Sequence, residues 1–277
     1  MYAATPRDGA HMTAPVFLLG AQRSGTTALA HALGNAFRDT GGLFTVNGKL
    51  LYLMQRWITP EDLAAQHVRA DEILHALRRR LPQGSGSEEW LARTEDALRD
   101  AARHAAAGTV TDPSALARAI LTGSYGGYAR WGEKYNEYLL SLDYLAQTVP
   151  DARYLVLIRR PDDVTRSMLR WTGDRPWNPC SSEAALAKWA HWNTQWLTFA
   201  RKLPRNTYCV IRYDALCRGE ENRRLEAFLG MEVGAYLSDL RLPSHPEDEQ
   251  LNLPPEVAKV WQLLNELHTR TSQYERT

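Results

Sequence analysis

The sequence predicts an α/β fold, a central parallel sheet flanked by helices, with a helical insertion capping the site. Three observations carry this. A short apolar run (16–19) enters a glycine-flanked turn (20–25) and then an Ala/Leu-rich helical stretch (26–33), the opening of a βαβ unit. Two further β-rich runs, 153–158 and 208–211, each precede a helical pattern, and strands alternating with helices pack as a parallel sheet covered on both faces. Between the first and second runs, residues 59–123 read as almost wholly helical, so the insertion is placed at about 55–125.

The elements follow in order. Residues 1–14 read as a disordered leader, with Met12 a possible alternative start. Thr59 can cap a helix that has Pro60 at its first position. A Gly/Ser-rich link (82–87) separates that helix from a second over 88–107, and Asp112-Pro113 opens a third that stops at Gly123. The strand 153–158 closes at Arg159-Arg160-Pro161, and a helix runs on to about Trp171. Gly, Pro, Asn and Ser make 172–182 a loop. Over 182–203, Leu186, Trp189, Trp196, Phe199 and Leu203 recur at the helical period, which places those tryptophans in the core. A strand at 208–211, a helix at 222–229, a polar proline-broken segment (243–255) and a last helix near 256–268 complete the chain.

Composition narrows the function. The 277 residues, 44% hydrophobic and 23% charged, suit one globular domain over 15–277. A formal net charge of +1 argues against a general nucleic-acid binder or a polybasic membrane-surface protein. No apolar run nears the roughly 18 residues needed to span a bilayer, and the first dozen residues lack a signal-peptide pattern, so no membrane insertion is expected. Cys180, Cys209 and Cys217 form no metal or disulfide pattern, which fits a reducing, cytoplasmic setting. Lysines number five against 28 arginines, a bias that accompanies GC-rich bacterial genomes.

The loop Gly20-Ala21-Gln22-Arg23-Ser24-Gly25-Thr26-Thr27 is the most specific feature. A glycine-rich turn into a helix N-terminus aims backbone N–H groups and the helix dipole at one point, which binds an anion. Its spacing is P-loop-like, but Thr26 and Thr27 stand where a nucleotide triphosphatase carries Lys-Ser/Thr. Without that lysine, the loop suits an anion of lower charge bound without metal, through Arg23, Ser24, Thr26 and Thr27. Arg159 leaves the end of a strand, where ligands of open α/β sheets bind, and Ser167 follows on the next helix. Alternatively, Arg159 is a solvated surface residue. The histidines show no paired ligand spacing, so no metal is assigned. Trp171 and Trp177 flank the 172–182 loop and either line a binding mouth or pack plainly, and His245 approaches the site only if its segment folds over it.

With Trp131-Gly132-Glu133-Lys134 and Arg212-Tyr213-Asp214, these segments resemble the sulfotransferases that use 3′-phosphoadenosine 5′-phosphosulfate (PAPS), especially their bacterial and tyrosylprotein-type branch. The matching residues are Arg23-Ser24-Gly25-Thr26-Thr27, Trp131 with Lys134, Ala152-Arg153 with Arg159, Pro161 and Ser167, Arg212-Tyr213-Asp214 with Leu216, and Phe228-Leu229-Gly230. The likeness extends over most of 15–230 and is weak across 50–125. It implies that Arg23 to Thr27 cradle the 5′-phosphosulfate, that Arg159 and Ser167 hold the 3′-phosphate, that Tyr213 sits near the nucleotide, and that Lys134 and Arg23 face the transferring group. It further implies a small-molecule hydroxyl or amine as acceptor. The bland alternative for Lys134 is a surface ion pair with Glu133 or Glu137.

Departures from the family pattern are equally informative. Leu43 to Lys49, where one branch carries a glutamate base, holds no acid. Asn136 stands where cytosolic members carry histidine, and Arg160 replaces an aspartate, making the nucleotide mouth more positive. Glu133, Glu137 and Asp39 are the nearest acids in sequence. Two other readings remain open at this point: a nucleotide-binding protein that has lost its base, and a P-loop nucleotide kinase.

Overall fold

The computed structural model describes residues 13–171, 178–242 and 251–272. The expectations for residues 1–12, Trp177 and His245 lie outside them. β1 (Val16–Leu19) turns into α1 (Thr26–Asp39), and β2 (Leu43–Val46) follows. Five helices come next: α2 (Leu50–Trp57), α3 (Pro60–Ala64), α4 (Ala70–Arg79), α5 (Ser87–Ala106) and α6 (Pro113–Tyr125). β3 (Trp131–Lys134) leads through a 3₁₀ turn (Asn136–Leu140) to α7 (Leu142–Thr148), β4 (Arg153–Ile158), α8 (Pro161–Leu169) and α9 (Ser182–Ala200). The remaining elements are β5 (Tyr208–Arg212), α10 (Tyr213–Cys217), α11 (Asn222–Leu229), α12 (Gly234–Leu237) and α13 (Pro255–Ser272).

The five strands form one parallel sheet in the order β2-β3-β1-β4-β5. Alternation along the strands divides the core between its faces. Phe17, Leu19, Tyr154, Val156 and Ile158 belong to a cluster with α2, α4, α5, α6, α9 and α13. Val16, Leu18, Leu155, Leu157 and Ile211 belong to the other, with α1, α11 and α12. Trp189, Trp192 and Trp196 are buried in the first cluster, as the helical period of 182–203 indicates, and Trp196 meets the Tyr208 ring edge-on at 5.5 Å.

Two strands beyond the three read from the sequence complete the sheet. β2 is only four residues long, with no room to show a period, and β3 carries two charges in four residues. Its glycine explains how β3 fits the sheet: a Cβ on Gly132 would sit 2.5 Å from the Phe44 ring and 2.6 Å from the Val16 carbonyl oxygen. Trp131, at the head of β3, stacks on Tyr125 at 4.1 Å, tying α6 to the sheet.

The long helix expected from residue 59 is instead two, α3 and α4, broken near Gln66, which adopts φ 54°. Thr59 caps α3 as expected, accepting from the Asp62 N–H while Asp62 accepts from the Thr59 N–H, a reciprocal capping box. Asp112 caps α6 by accepting from the Ser114 N–H at 2.9 Å, with Pro113 at the first helical position. α1 runs six residues beyond 33, straight through Gly34, to Asp39. The helix after β4 is shorter than expected, ending at Leu169.

Candidate active site

Each strand delivers a residue to one rim, because in a parallel sheet all carboxyl ends lie on the same side. The 20–27 loop follows β1, Asn47 follows β2, Lys134 ends β3, Arg159 follows β4 and Tyr213 follows β5. A cavity of about 540 Å³ opens there, lined by Arg23, Gly25, Thr26, Thr27, Lys134, Arg159, Ser167 and Trp171 among others. Of the expected residues, Ser24 and Tyr213 are buried behind the cavity wall rather than lining it.

The loop holds its shape through two left-handed residues, Arg23 at φ 68° and Gly25 at φ 95°. Gly25 is required twice over. Its φ disfavours a side chain, and a Cβ would lie 2.3 Å from the Tyr213 ring. Tyr213 is therefore the floor of the loop, with its hydroxyl donating to the Arg241 carbonyl at 2.9 Å. The Arg159 guanidinium lies over that ring at 5.0 Å.

Residues far apart in sequence converge here. Arg23 donates from Nε to Ser167 Oγ at 3.1 Å, and its guanidinium sits 4.6 Å from the Trp171 ring centroid. Arg159 donates to the Arg23 carbonyl at 3.4 Å, and an ion pair to Asp163 spans 3.9 Å. Arg159 is only 6% exposed, yet its Nε makes no hydrogen bond among the described residues. Burial, then the like charge of Arg159, lowers the Arg23 pKa from its usual value. Arg160, expected to add charge to the mouth, instead spends its guanidinium on Asp162 at 3.0 and 3.1 Å.

Lys134 is not the surface ion pair that the residues alone left open. It is 2% exposed, and its Nζ donates to Thr27 Oγ1 at 3.1 Å and to Asn47 Oδ1 at 2.8 Å. Burial pulls its pKa down to about 8; Glu137 opposes that shift and Arg80 adds to it. Asn47, at φ 62°, belongs to a tight Asn-Gly-Lys turn whose role the sequence left unread.

The three acids separate by position. Asp39 ends α1 at an exposed site and accepts from the Tyr236 hydroxyl at 2.7 Å. Glu133 is fully buried, where its Oε1 accepts from the Leu50 N–H at 3.2 Å and caps α2. Burial pushes its pKa up to about 7, while the Tyr138 and Tyr125 hydroxyls and the 49–50 N–H groups oppose that. Glu137 alone of the three lines the cavity; it accepts from Gln22 Nε2 at 3.4 Å. Asn136 also lines the cavity and donates to the Gly20 carbonyl at 2.8 Å and to Thr26 Oγ1 at 3.1 Å, so it braces the loop. Lys49 and Arg80 also line the cavity, and no sequence signal marked them.

A glycine-bounded loop at the carboxyl ends of a parallel sheet, with a buried lysine and a buried guanidinium lining the same cavity, is an α/β arrangement whose chemistry suits an anion. The model of the sulfotransferase family matches residues 15–234, and the chain belongs to that family. Among solved structures, the sulfotransferase domain from the curacin biosynthetic pathway is similar at TM-score 0.57 and 14% identity, covering 91% of this chain and 98% of its own. The sulfotransferase domain of the Synechococcus PCC 7002 olefin synthase is similar at TM-score 0.55 and 18% identity, covering 95% and 96%. These likenesses establish a shared fold. No curated protein sequence matches the chain.

Proposed function

We propose that the protein transfers a sulfuryl group from PAPS to a hydroxyl or amine of a small molecule. The observation that carries this reading is the buried Arg159, whose Nε makes no hydrogen bond and reaches only the Asp163 carboxylate at 3.9 Å, in the same cavity as Ser167, Lys134 and residues of the 20–27 loop. A buried guanidinium nitrogen that makes no hydrogen bond favours an anionic partner, and planar guanidinium suits phosphate.

In this reading the 5′-phosphosulfate lies against the loop N–H groups, with Arg23 and Lys134 beside it, while Arg159 and Ser167 take the 3′-phosphate. The acceptor oxygen attacks sulfur in line, one S–O bond forms as the bridging S–O bond breaks, and adenosine 3′,5′-bisphosphate leaves. Negative charge grows on the bridging oxygen, so Lys134, held by Thr27 and Asn47, acts chiefly in the transition state. The proton released by the acceptor passes to Glu137, the carboxylate that faces the cavity. Both usual family positions for a base are empty, and Glu137 fills the chemical need from a third. A cytoplasmic setting belongs to this proposal, supported by three free thiols at Cys180, Cys209 and Cys217.

Titration calorimetry with adenosine 3′,5′-bisphosphate and ADP, followed by assay of mass-tagged PAPS against hydroxyl and amine acceptors, tests the reading. Tight bisphosphate binding, weak ADP binding and label transfer are expected. Equal affinity for the two nucleotides overturns the donor assignment, and tight binding without any transfer favours a binding protein instead.

A further inference from the structure

Among the described residues, five cations line the cavity, Arg23, Lys49, Arg80, Lys134 and Arg159, against the single carboxylate of Glu137. Three of the five are absorbed by the donor in the reading above, on which this inference rests. Lys49 and Arg80 are left over. They also lie elsewhere: Lys49 follows β2, whereas Arg159 follows β4, three places along the sheet. At the spacing of adjacent strands, that separates their backbones by roughly 14 Å.

Their arrangement is unfavourable without a ligand. Lys49 is held at φ 55° and partly buried, with Nζ donating to the Ala76 carbonyl at 2.8 Å, which leaves two N–H groups for another acceptor. Burial lowers its pKa, and Arg80 and Arg79 lower it further. Arg80, the residue after α4, is exposed; its N–H donates to the Leu77 carbonyl, and its guanidinium has no hydrogen bond or ion pair among the described residues. Its charge also works against that of Lys134. Like charges gathered on one wall attract an anion and reject a cation.

We propose that Lys49 and Arg80 form an anion-binding subsite for the acceptor, so that the substrate is a hydroxyl or amine compound bearing a carboxylate or phosphate group. The anionic group anchors at this end of the cavity and leaves the nucleophile to approach Glu137 and the sulfuryl group. An acceptor lacking it binds without that anchor, and a cationic one is repelled.

The test uses the full-length protein saturated with adenosine 3′,5′-bisphosphate, so that the donor cations are occupied. Inorganic phosphate is titrated calorimetrically into wild type and Arg80→Glu, and acceptors are assayed as matched pairs with and without a carboxylate or phosphate. The expectation is that phosphate still binds the nucleotide-saturated wild type, that Arg80→Glu weakens it roughly tenfold or more, and that the anionic member of each pair has the higher kcat/KM. Bisphosphate affinity falls far less than phosphate affinity in Arg80→Glu, which separates this subsite from the donor reading; failure of the bisphosphate to bind wild type refutes the donor reading instead. No phosphate binding to the saturated protein, or binding indifferent to Arg80→Glu, overturns the proposal. So does phosphate binding with no preference for anionic acceptors, which leaves an adventitious ion only.

Discussion

Exchanging Lys134 for methionine replaces a buried ammonium with an apolar chain of similar length, and stability and activity should move in opposite directions. Burial takes the lysine from 10.5 to about 8. At about 1.4 kcal/mol per unit, the protonated side chain destabilises the ligand-free fold near neutral pH by about 3 kcal/mol. Between about pH 8 and the unfolded value, the unfolded chain holds this proton and the folded chain does not, so wild-type stability gains with rising pH across that window. Below it, both states are protonated and the full penalty applies. Methionine removes the penalty but also the bonds to Thr27 and Asn47, about 1 kcal/mol each, partly recovered from water at the cavity edge.

The net expectation for Lys134→Met is a gain of about 1–2 kcal/mol at pH 7, a Tm rise of roughly 3–6 °C. In the same variant kcat falls by about 10²–10³, since one preorganised cation is lost from the transition state. Scanning calorimetry of ligand-free protein at pH 7 and pH 10, with PAPS turnover at saturating donor, measures both. The stability gap should shrink at the higher pH, where the wild-type lysine is neutral. A variant no more stable than wild type, or a gap unchanged by pH, refutes the electrostatic argument; near-normal kcat removes Lys134 from the chemistry.

Arg159→Ala should weaken adenosine 3′,5′-bisphosphate binding roughly 10–100-fold while changing kcat at saturating donor far less, because the 3′-phosphate keeps its charge through the reaction; a fall confined to kcat would contradict this. Glu137→Gln should lower kcat by about 10²–10⁴ with bisphosphate affinity preserved, and retention of full turnover would return the search for a base to other residues. Gly25→Ala should lower Tm and abolish bisphosphate binding in calorimetry, since the new Cβ meets the Tyr213 ring and the left-handed φ adds about 1–3 kcal/mol of strain. Unimpaired binding in that variant would show that the loop can shift away from Tyr213.

Local chemistry was legible in the residues alone. Glycines spaced around an arginine and hydroxyls, ahead of an amphipathic helix, announce a tight strand-to-helix turn because the backbone geometry they permit is set within a few residues. Arg159 and Ser167 were readable for a similar reason, since a strand end followed by Pro161 places both near one rim. The caps at Thr59 and Asp112 are likewise decided by neighbours two or three places away. What the sequence could not declare are the groups whose meaning depends on distant partners. Trp131-Gly132-Glu133-Lys134 has little strand character, and becomes a strand because Phe44 and Val16 occupy the space that Gly132 leaves. Glu133 and Glu137 are equally acidic on paper. One is turned inward to cap α2 and the other outward to the cavity, and only the packed sheet makes that choice. Asn47, Lys49 and Arg80 belong to no local pattern: they share a cavity with Lys134 because parallel pairing brings the end of β2 beside the end of β3 and the packing of α4 carries Arg80 to the same rim, a convergence across dozens of residues that no short window encodes.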